Sequence, residues 1–205
     1  HDVFGMIDLM GGEKTFVQKL DELFSMHLPE KYYEHNEDIT EECLVGGYVH
    51  GNEPSHHVIY LFNAVGQQNL TQKYVAKVMN ELYKNEPAGL CGNEDCGQMS
   101  AWYLLSAMGF YQVNPSDGVF AFGSPRFKKI EVKVRGGKVF TVEAPNNSKD
   151  NIYIQKVYLN GKPYHKSYIT YDDIINGSTL KFEMGKKPAK NFGKASANRP
   201  IVLNK

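Results

Sequence analysis

The sequence carries no excess of charge of either sign: 23 Lys and Arg balance 23 Asp and Glu over 205 residues. That removes the electrostatic basis for a nucleic-acid or polybasic membrane partner. No apolar run approaches the ~18 residues of a membrane span, which excludes bilayer insertion by a helix. Cysteine is scarce and odd in number, at three, so a disulfide framework is not the organising principle. A Gly-rich phosphate loop is missing as well. The chain opens on His1 with no initiator Met, basic leader or apolar signal segment, which points to a processed start or a piece of something longer. What is present is ordinary for a folded protein, at 41% hydrophobic and 22% charged residues. The length allows one large domain or two small ones, with ample core.

The pattern changes character near residue 112. Before it, Phe16, Leu20, Leu23 and Phe24 repeat at the spacing of one buried helical face, as do Leu70, Tyr74, Val75, Val78 and Leu82. Thr71 or Asn69 is the expected N-cap of the second of these helices. Between them, EPSHHVIYLFNAVG reads as a helix with Pro54 in its first turn and a stop at Gly66. CGQMSAWYLLSAMG, from Cys96 to Gly109, is apolar almost all round and is expected to be deeply buried. Beyond Val113 the period falls to two. KIEVKV and KVFTVEA alternate strictly, and Gly136-Gly137 and Asn160-Gly161 are hairpin turns. Helices first and strands after give an α+β class with an antiparallel sheet, ending in a polar basic surface tail.

Two loops are too rich in polar groups to be plain connections. One is His50-Gly51-Asn52-Glu53-Pro54-Ser55-His56-His57; the other runs Gly89-Leu90-Cys91-Gly92-Asn93-Glu94-Asp95-Cys96-Gly97-Gln98. Each leads into an apolar helix, where free N–H groups and the dipole favour carboxylates. Asp95 with Gln98 three residues on also has the form of a capping box, and Glu53 before Pro54 that of an ordinary helix start. Capping needs one carboxylate, whereas Glu94 and Asp95 are adjacent and flanked by Gly92 and Gly97. Paired carboxylates with amide oxygens suit a hard cation such as calcium, or acid/base work on a glycosidic bond. Adjacent His56 and His57 do not face one zinc easily, and Cys91 and Cys96 have no second pair to complete a tetrahedral site. Nothing in the sequence orders a Cys96–His56 nucleophile pair.

GNEPSHHVIYLFNAVGQ, and some 40 residues later GLCGNEDCGQMSAWYLLSAMGFYQVNPSDGVFAFGSP, closely resemble the bacterial α-mannosidases of glycoside hydrolase family 92. HDVFGMIDLMGG at the start and ITYDDIINGSTLKFEMG near the end extend the likeness over nearly the whole chain. The resemblance implies a calcium-dependent, inverting exo-hydrolase of α-linked mannose, several times longer than this chain, with an N-terminal β-sandwich before an (α/α)6 barrel. Residues 1–112 would be the last part of that barrel, 113–190 a β-rich closing segment and 191–205 a polar tail. The fold class it implies is thus a partial helical barrel followed by antiparallel strands.

By the same resemblance Asp95 is the general base, and Glu94 assists it or holds a sugar hydroxyl. Asn52 and Glu53 are calcium ligands, His56 and His57 line the substrate pocket, and Gln98 orients the loop. The family's proton donor lies in an EGNAWQY-like motif just before a VPHD stretch, and this chain begins at the HD. The expected partners are therefore mannose-terminated glycans and the remaining N-terminal part of the same enzyme. The chain alone is expected to be inactive, to self-associate through helical faces left open, and to act in the periplasm or outside the cell. The contrasting expectation is a non-catalytic glycan-binding or interaction module.

Overall fold

The structure, a computed structural model, describes residues 2–35 and 39–200. Helices α1 (Val3–Leu9) and α2 (Glu13–Ser25) come first. Asp2 caps α1 by accepting the Gly5 N–H at 2.8 Å. In α2 the predicted stripe is the buried one, with Phe16, Leu20 and Phe24 inside. A two-stranded hairpin follows, β1 (Leu44–Val45) with β2 (Tyr48–Val49), and β2 delivers the chain to the first polar loop.

The segment after that loop differs from the expected α-helix. Glu53–Ser55 forms one 3-10 turn with Pro54 in it, and Val58–Val65 forms a 3-10 helix of 8 residues. Runs of this length are uncommon. Here every residue from Ile59 to Val65 is buried, so tertiary packing overrides local preference. Three residues per turn align Tyr60 with Asn63. Tyr60 donates to Ser106 Oγ at 2.8 Å, and Asn63 Nδ2 donates to the Phe122 carbonyl at 2.9 Å. The stop falls at Gly66 as expected, at φ 73.

Helix α3 (Gln68–Glu81) buries Tyr74, Val75 and Val78. Neither predicted cap serves it. Gln67 holds the cap position, and Thr71, one turn inside, is buried and donates its hydroxyl to the Ile59 carbonyl at 3.2 Å. Helix α4 (Gln98–Met108) is not buried all round. Met99, Trp102, Ser106 and Ala107 face the core, while Ser100, Ala101 and Leu104 face solvent.

The strand half is β3 (Phe110–Gln112), β4 (Val119–Phe122), β5 (Lys129–Lys133), β6 (Val139–Glu143), β7 (Tyr153–Leu159), β8 (Lys162–Tyr164), β9 (Tyr168–Thr170) and β10 (Thr179–Gly185), with the short helix α5 (Tyr171–Ile175) before the last strand. Both predicted Gly turns are present, with positive φ at Gly136, Gly137, Asn160 and Gly161. The larger sheet has the order β5-β6-β10-β7-β8 and is mixed, not antiparallel, because β10 pairs parallel to β6 and antiparallel to β7. The reason is geometric. β6 and β7 run in opposite directions with one slot between them, and a strand filling that slot must be parallel to one of its neighbours. A second sheet has the order β3-β4-β9.

Two apolar clusters result. One gathers α1, α2, the 3-10 segment and α3 around Trp102; the other gathers Phe140, Val142, Ile154, Leu180 and Phe182 between the sheets. Helix α4 serves both, giving Trp102 to the first and Leu105 and Met108 to the second. The expected surface tail is docked as far as Pro200. Arg199 pairs with Glu13 at 2.6 Å, and Ser167 N–H donates to the Asn198 carbonyl at 2.7 Å. Residues 201–205 of that tail lie outside the described residues. Among the described residues no helix is long and apolar enough to cross a membrane.

Candidate active site

The two polar loops, some forty positions apart in sequence, touch backbone to backbone. A Cβ added at Gly92 would stand 2.3 Å from the Gly51 carbonyl oxygen and 2.7 Å from Gly51 Cα. Only two glycines permit that approach. It places Asn52 and Glu53 on one side of the contact, with Glu94 and Asp95 following on the other.

Below the contact lies a buried polar network that fixes both loops. His50, which follows β2, bonds Tyr48 OH through Nδ1 at 3.0 Å and Tyr83 OH through Nε2 at 2.8 Å. Tyr83 in turn donates to the Met99 carbonyl at 3.2 Å. Its proton being used there, Nε2 of His50 must donate to the Tyr83 oxygen, and Nδ1 must accept from Tyr48. His56 has a carbonyl, that of His50, at 3.1 Å from Nε2, so that nitrogen carries the proton and Nδ1 accepts from Gln98 Nε2 at 3.1 Å. Gln98 Nε2 also donates to Tyr111 OH at 3.2 Å, and Trp102 Nε1 donates to the His56 carbonyl at 3.1 Å. Both imidazoles are thus neutral with assigned tautomers. Burial holds His50 well below the ordinary imidazole range and His56 down to about 4, and it pushes the Tyr48 and Tyr83 hydroxyls up. The rings of His50 and His56 stack at 4.7 Å, and Trp102 meets His50 edge-on at 4.3 Å.

The predicted site residues take different places in this frame. Glu94 holds the first turn of α4: its carboxylate accepts the Ser100 N–H at 2.9 Å and the Ser100 hydroxyl at 3.2 Å. The cap position is Gly97, with no side-chain cap bond, so the capping box read at Asp95 and Gln98 is not formed. Asp95 is exposed and holds φ 48, followed by Cys96 at φ 57 and Gly97 at φ 98. Three left-handed residues in succession, two of them not glycine, store conformational strain of the kind that gathers at functional sites. Asn52 is exposed. Glu53 is half-buried, with Oε1 shielded from solvent. His56 is 1% exposed and turned inward, where its Nδ1 accepts from Gln98. His57 points the other way, into a cleft of about 600 Å³ lined by Val3, Met6, Phe16, Leu20 and Leu61 among others. That cleft is apolar and takes no lining residue from 52–53 or 94–95.

Asn52 and Glu53 offer oxygen donors of the class that a hard cation takes, but calcium needs six to eight of them. Among the described residues no group of three or more His, Cys, Asp or Glu is arranged to hold a metal ion. The donor set in this chain is therefore of the right chemistry and incomplete. Sequence reasoning overlooked His50, Tyr83 and Trp102 as the frame of the site. The period-two pair Tyr48/His50 running into the polar loop was the available signal.

The comparisons with known proteins agree on one family. The model of the glycosyl hydrolase family 92 catalytic domain matches residues 1–186. An uncharacterised secreted glycosidase of Arthroderma benhamiae is 32% identical over 190 residues, 91% of this chain and 22% of its own length. A family GH92 α-mannosidase of Bacteroides thetaiotaomicron superposes with a TM-score of 0.85 at 40% identity, covering 94% of this chain and 24% of that one. It has also been solved with mannoimidazole bound. A second Bacteroides thetaiotaomicron structure, an inverting GH92 mannosidase, gives 0.83 at 38% identity over 98% of this chain and 28% of its own. The chain thus spans about a quarter of the length of these relatives, and by sequence and by fold it belongs to glycosyl hydrolase family 92.

Proposed function

We propose that these residues form the base-bearing part of a calcium-dependent, inverting exo-α-mannosidase that removes terminal mannose from glycans. One observation carries this reading: the Gly51–Gly92 contact brings the Asn52-Glu53 loop against the strained Glu94-Asp95 loop in a chain of a family whose solved relatives include α-mannosidases. In that role Asp95, exposed and held in a left-handed turn, takes the proton of a water molecule as it attacks the anomeric carbon. Its carboxylate oxygen is the proton's destination. The leaving oxygen is protonated by an acid from outside these residues, roughly 6.5–9.5 Å away, so the configuration inverts. Glu94 keeps the end of α4 in place beneath Asp95. Gln98 is pinned by His56 and Tyr111, so it orients the loop and not the sugar directly. Asn52 and Glu53 contribute part of the calcium set, which when complete supplies a positive charge that grips sugar hydroxyls.

Residues 1–112 then belong to the last part of an (α/α)6 barrel, and 113–190 close it. The apolar cleft at His57 and the open face of α4 meet the remaining three-quarters of the enzyme, and the 205 residues alone are inactive. The relative described as secreted supports export. The test is mannose release from an α-1,2-linked mannobiose, followed by NMR of the first-formed anomer. Joined to the rest of its barrel and sandwich, the chain should release β-mannose in a calcium-dependent way, and Asp95→Asn should lower the rate 10²- to 10⁴-fold. Release by the isolated chain, or mannose binding that survives both EDTA and Asp95→Asn, would overturn the proposal, the latter in favour of a non-catalytic glycan-binding module.

A further inference from the structure

A second cavity, of about 270 Å³, lies where the helical and strand halves meet. Three segments wall it: the end of α3, residues 124–126 between β4 and β5, and residues 147–152 between β6 and β7. Hydrogen bonds tie these walls together. Ser124 Oγ donates to the Ile152 carbonyl at 2.9 Å, Asn147 Nδ2 to the Pro125 carbonyl at 2.8 Å, and the Arg126 guanidinium to Asn80 Oδ1. Of the lining residues, Ala76, Met79, Ser124 and Pro125 are buried, whereas Asn80, Arg126, Ser148 and Lys149 are exposed. The Arg126 N–H also donates to the Ala107 carbonyl at 2.9 Å, so the cavity sits at the opposite end of α4 from the Glu94-Asp95 loop.

The lining is rich in donors and holds no carboxylate. Arg126 commits one guanidinium N–H to Asn80, a neutral partner. Neither Arg126 nor Lys149 makes an ion pair among the described residues. With Asn80 Oδ1 taken, that side chain has its NH₂ group left to give. Ser148 Oγ accepts the Asn151 N–H at 3.1 Å, which leaves its own proton to donate. Asp150, next in the chain, is held by Lys186 at 3.0 Å. Asn80 lies in the last turn of α3, where the helix dipole attracts a cation. That partial charge explains the position of Arg126 but balances only part of its charge and leaves Lys149 uncompensated. We propose that this cavity binds a tetrahedral oxyanion, the phosphate or sulfate group of a small ligand. The Arg126 fork matches two oxyanion oxygens, Lys149 adds the second charge, and Ser148 and Asn80 donate to the remaining oxygens. A group held there bridges α3 to the loop before β7 and so fastens the helical half to the strand half. The proposal rests on this lining and is independent of the enzymatic reading. The same chemistry serves a free ion and an ester, and the experiment separates them.

The experiment titrates the chain with inorganic phosphate and with sodium sulfate at low chloride, by calorimetry and by the rise in melting temperature that a ligand of the folded state produces. A single site per chain is expected. Arg126→Ala and Lys149→Ala should each weaken binding about tenfold, and Arg126→Lys, which keeps the charge but loses the fork, should fall between Arg126→Ala and the unaltered chain. Lys162→Ala, at an exposed lysine of β8 outside the lining, should change nothing. Glycerophosphate, with glycerol as the uncharged control, identifies the source. Binding at least as tight as that of phosphate assigns an esterified group, exclusion of the ester assigns the free ion, and both uphold the site. Neither heat nor a rise in melting temperature at millimolar anion, binding that glycerol reproduces, or an affinity that survives loss of both cations would overturn the proposal. Lys149 is exposed and makes no ion pair, so Lys149→Ala keeps the fold, which circular dichroism verifies, and the test stands even where Arg126→Ala folds poorly.

Discussion

Replacing Gly92 by alanine is the sharpest perturbation of the site, because its effect is purely steric. Gly92 lies outside the left-handed region, so alanine is acceptable to its backbone. The added Cβ would nevertheless stand 2.3 Å from the Gly51 carbonyl oxygen, with Gly51 Cα at 2.7 Å and its carbonyl carbon at 2.9 Å. All three are backbone atoms and cannot swing aside. Ordinary Cβ contacts begin near 3.4 Å, so the loops must part by about 1 Å. Overpacking of this kind costs about 1–3 kcal/mol. For a chain of this size that is a fall of roughly 2–12 °C in melting temperature, at 2–4 °C per kcal/mol. In the complete enzyme a ~1 Å misplacement between the Asn52-Glu53 and Glu94-Asp95 loops should lower mannose release about 10²-fold.

Gly97→Ala is the matched control. Its Cβ would meet nothing within 4 Å, but it sits at φ 98, so its penalty of roughly 1–2 kcal/mol is conformational. Thermal melts followed by circular dichroism, with mannose release from the joined protein, read both effects. A Gly92→Ala chain that melts and turns over like the unaltered one would refute the loop–loop contact as the frame of the site.

Two further outcomes follow from the same structure. His56 is neutral in the fold with its titration lowered to about 4, against about 6.5 when unfolded. The unfolded chain therefore binds more protons between those values, and the stabilisation is complete above pH ~6.5 and lost as pH falls toward 4. The loss amounts to about 3 kcal/mol at most, and melts at pH 7.5, 6, 5 and 4.5 should show it; a melting temperature constant across that range would contradict a buried neutral His56. The isolated chain should also self-associate, since Leu104 on α4 is 59% exposed and Leu9 is 92% exposed. Light scattering should report species larger than a monomer, reduced by Leu104→Glu with Leu9→Glu; a monodisperse unaltered monomer would count against the open faces.

Much of the local structure was legible in the residues themselves. The buried stripe of α2, the strict alternation of β5 and β6, the Gly136-Gly137 and Asn160-Gly161 turns and the stop at Gly66 each depend on a few neighbouring residues, and each came out as the pattern implied. The family was legible too, because its two long motifs are local strings. Elements governed by their surroundings were misjudged. Residues 58–65 wind as a 3-10 helix because Tyr60 and Asn63 must reach distant partners in α4 and β4. Thr71 looks like a cap, yet it is spent on a carbonyl from the preceding segment.

By itself the sequence determined which residues carry charge, where helices and strands alternate, and that Glu94, Asp95, Asn52 and Glu53 sit in two conspicuous loops. Only the tertiary structure decided that those loops meet through Gly51 and Gly92, that β10 enters the sheet parallel to β6, and that His56 turns inward while His57 faces the cleft. The physical reason is common to all three. Periodicity and turn chemistry act over a few residues, whereas contacts between backbones, strand slots and buried rings depend on which distant segments share one small volume.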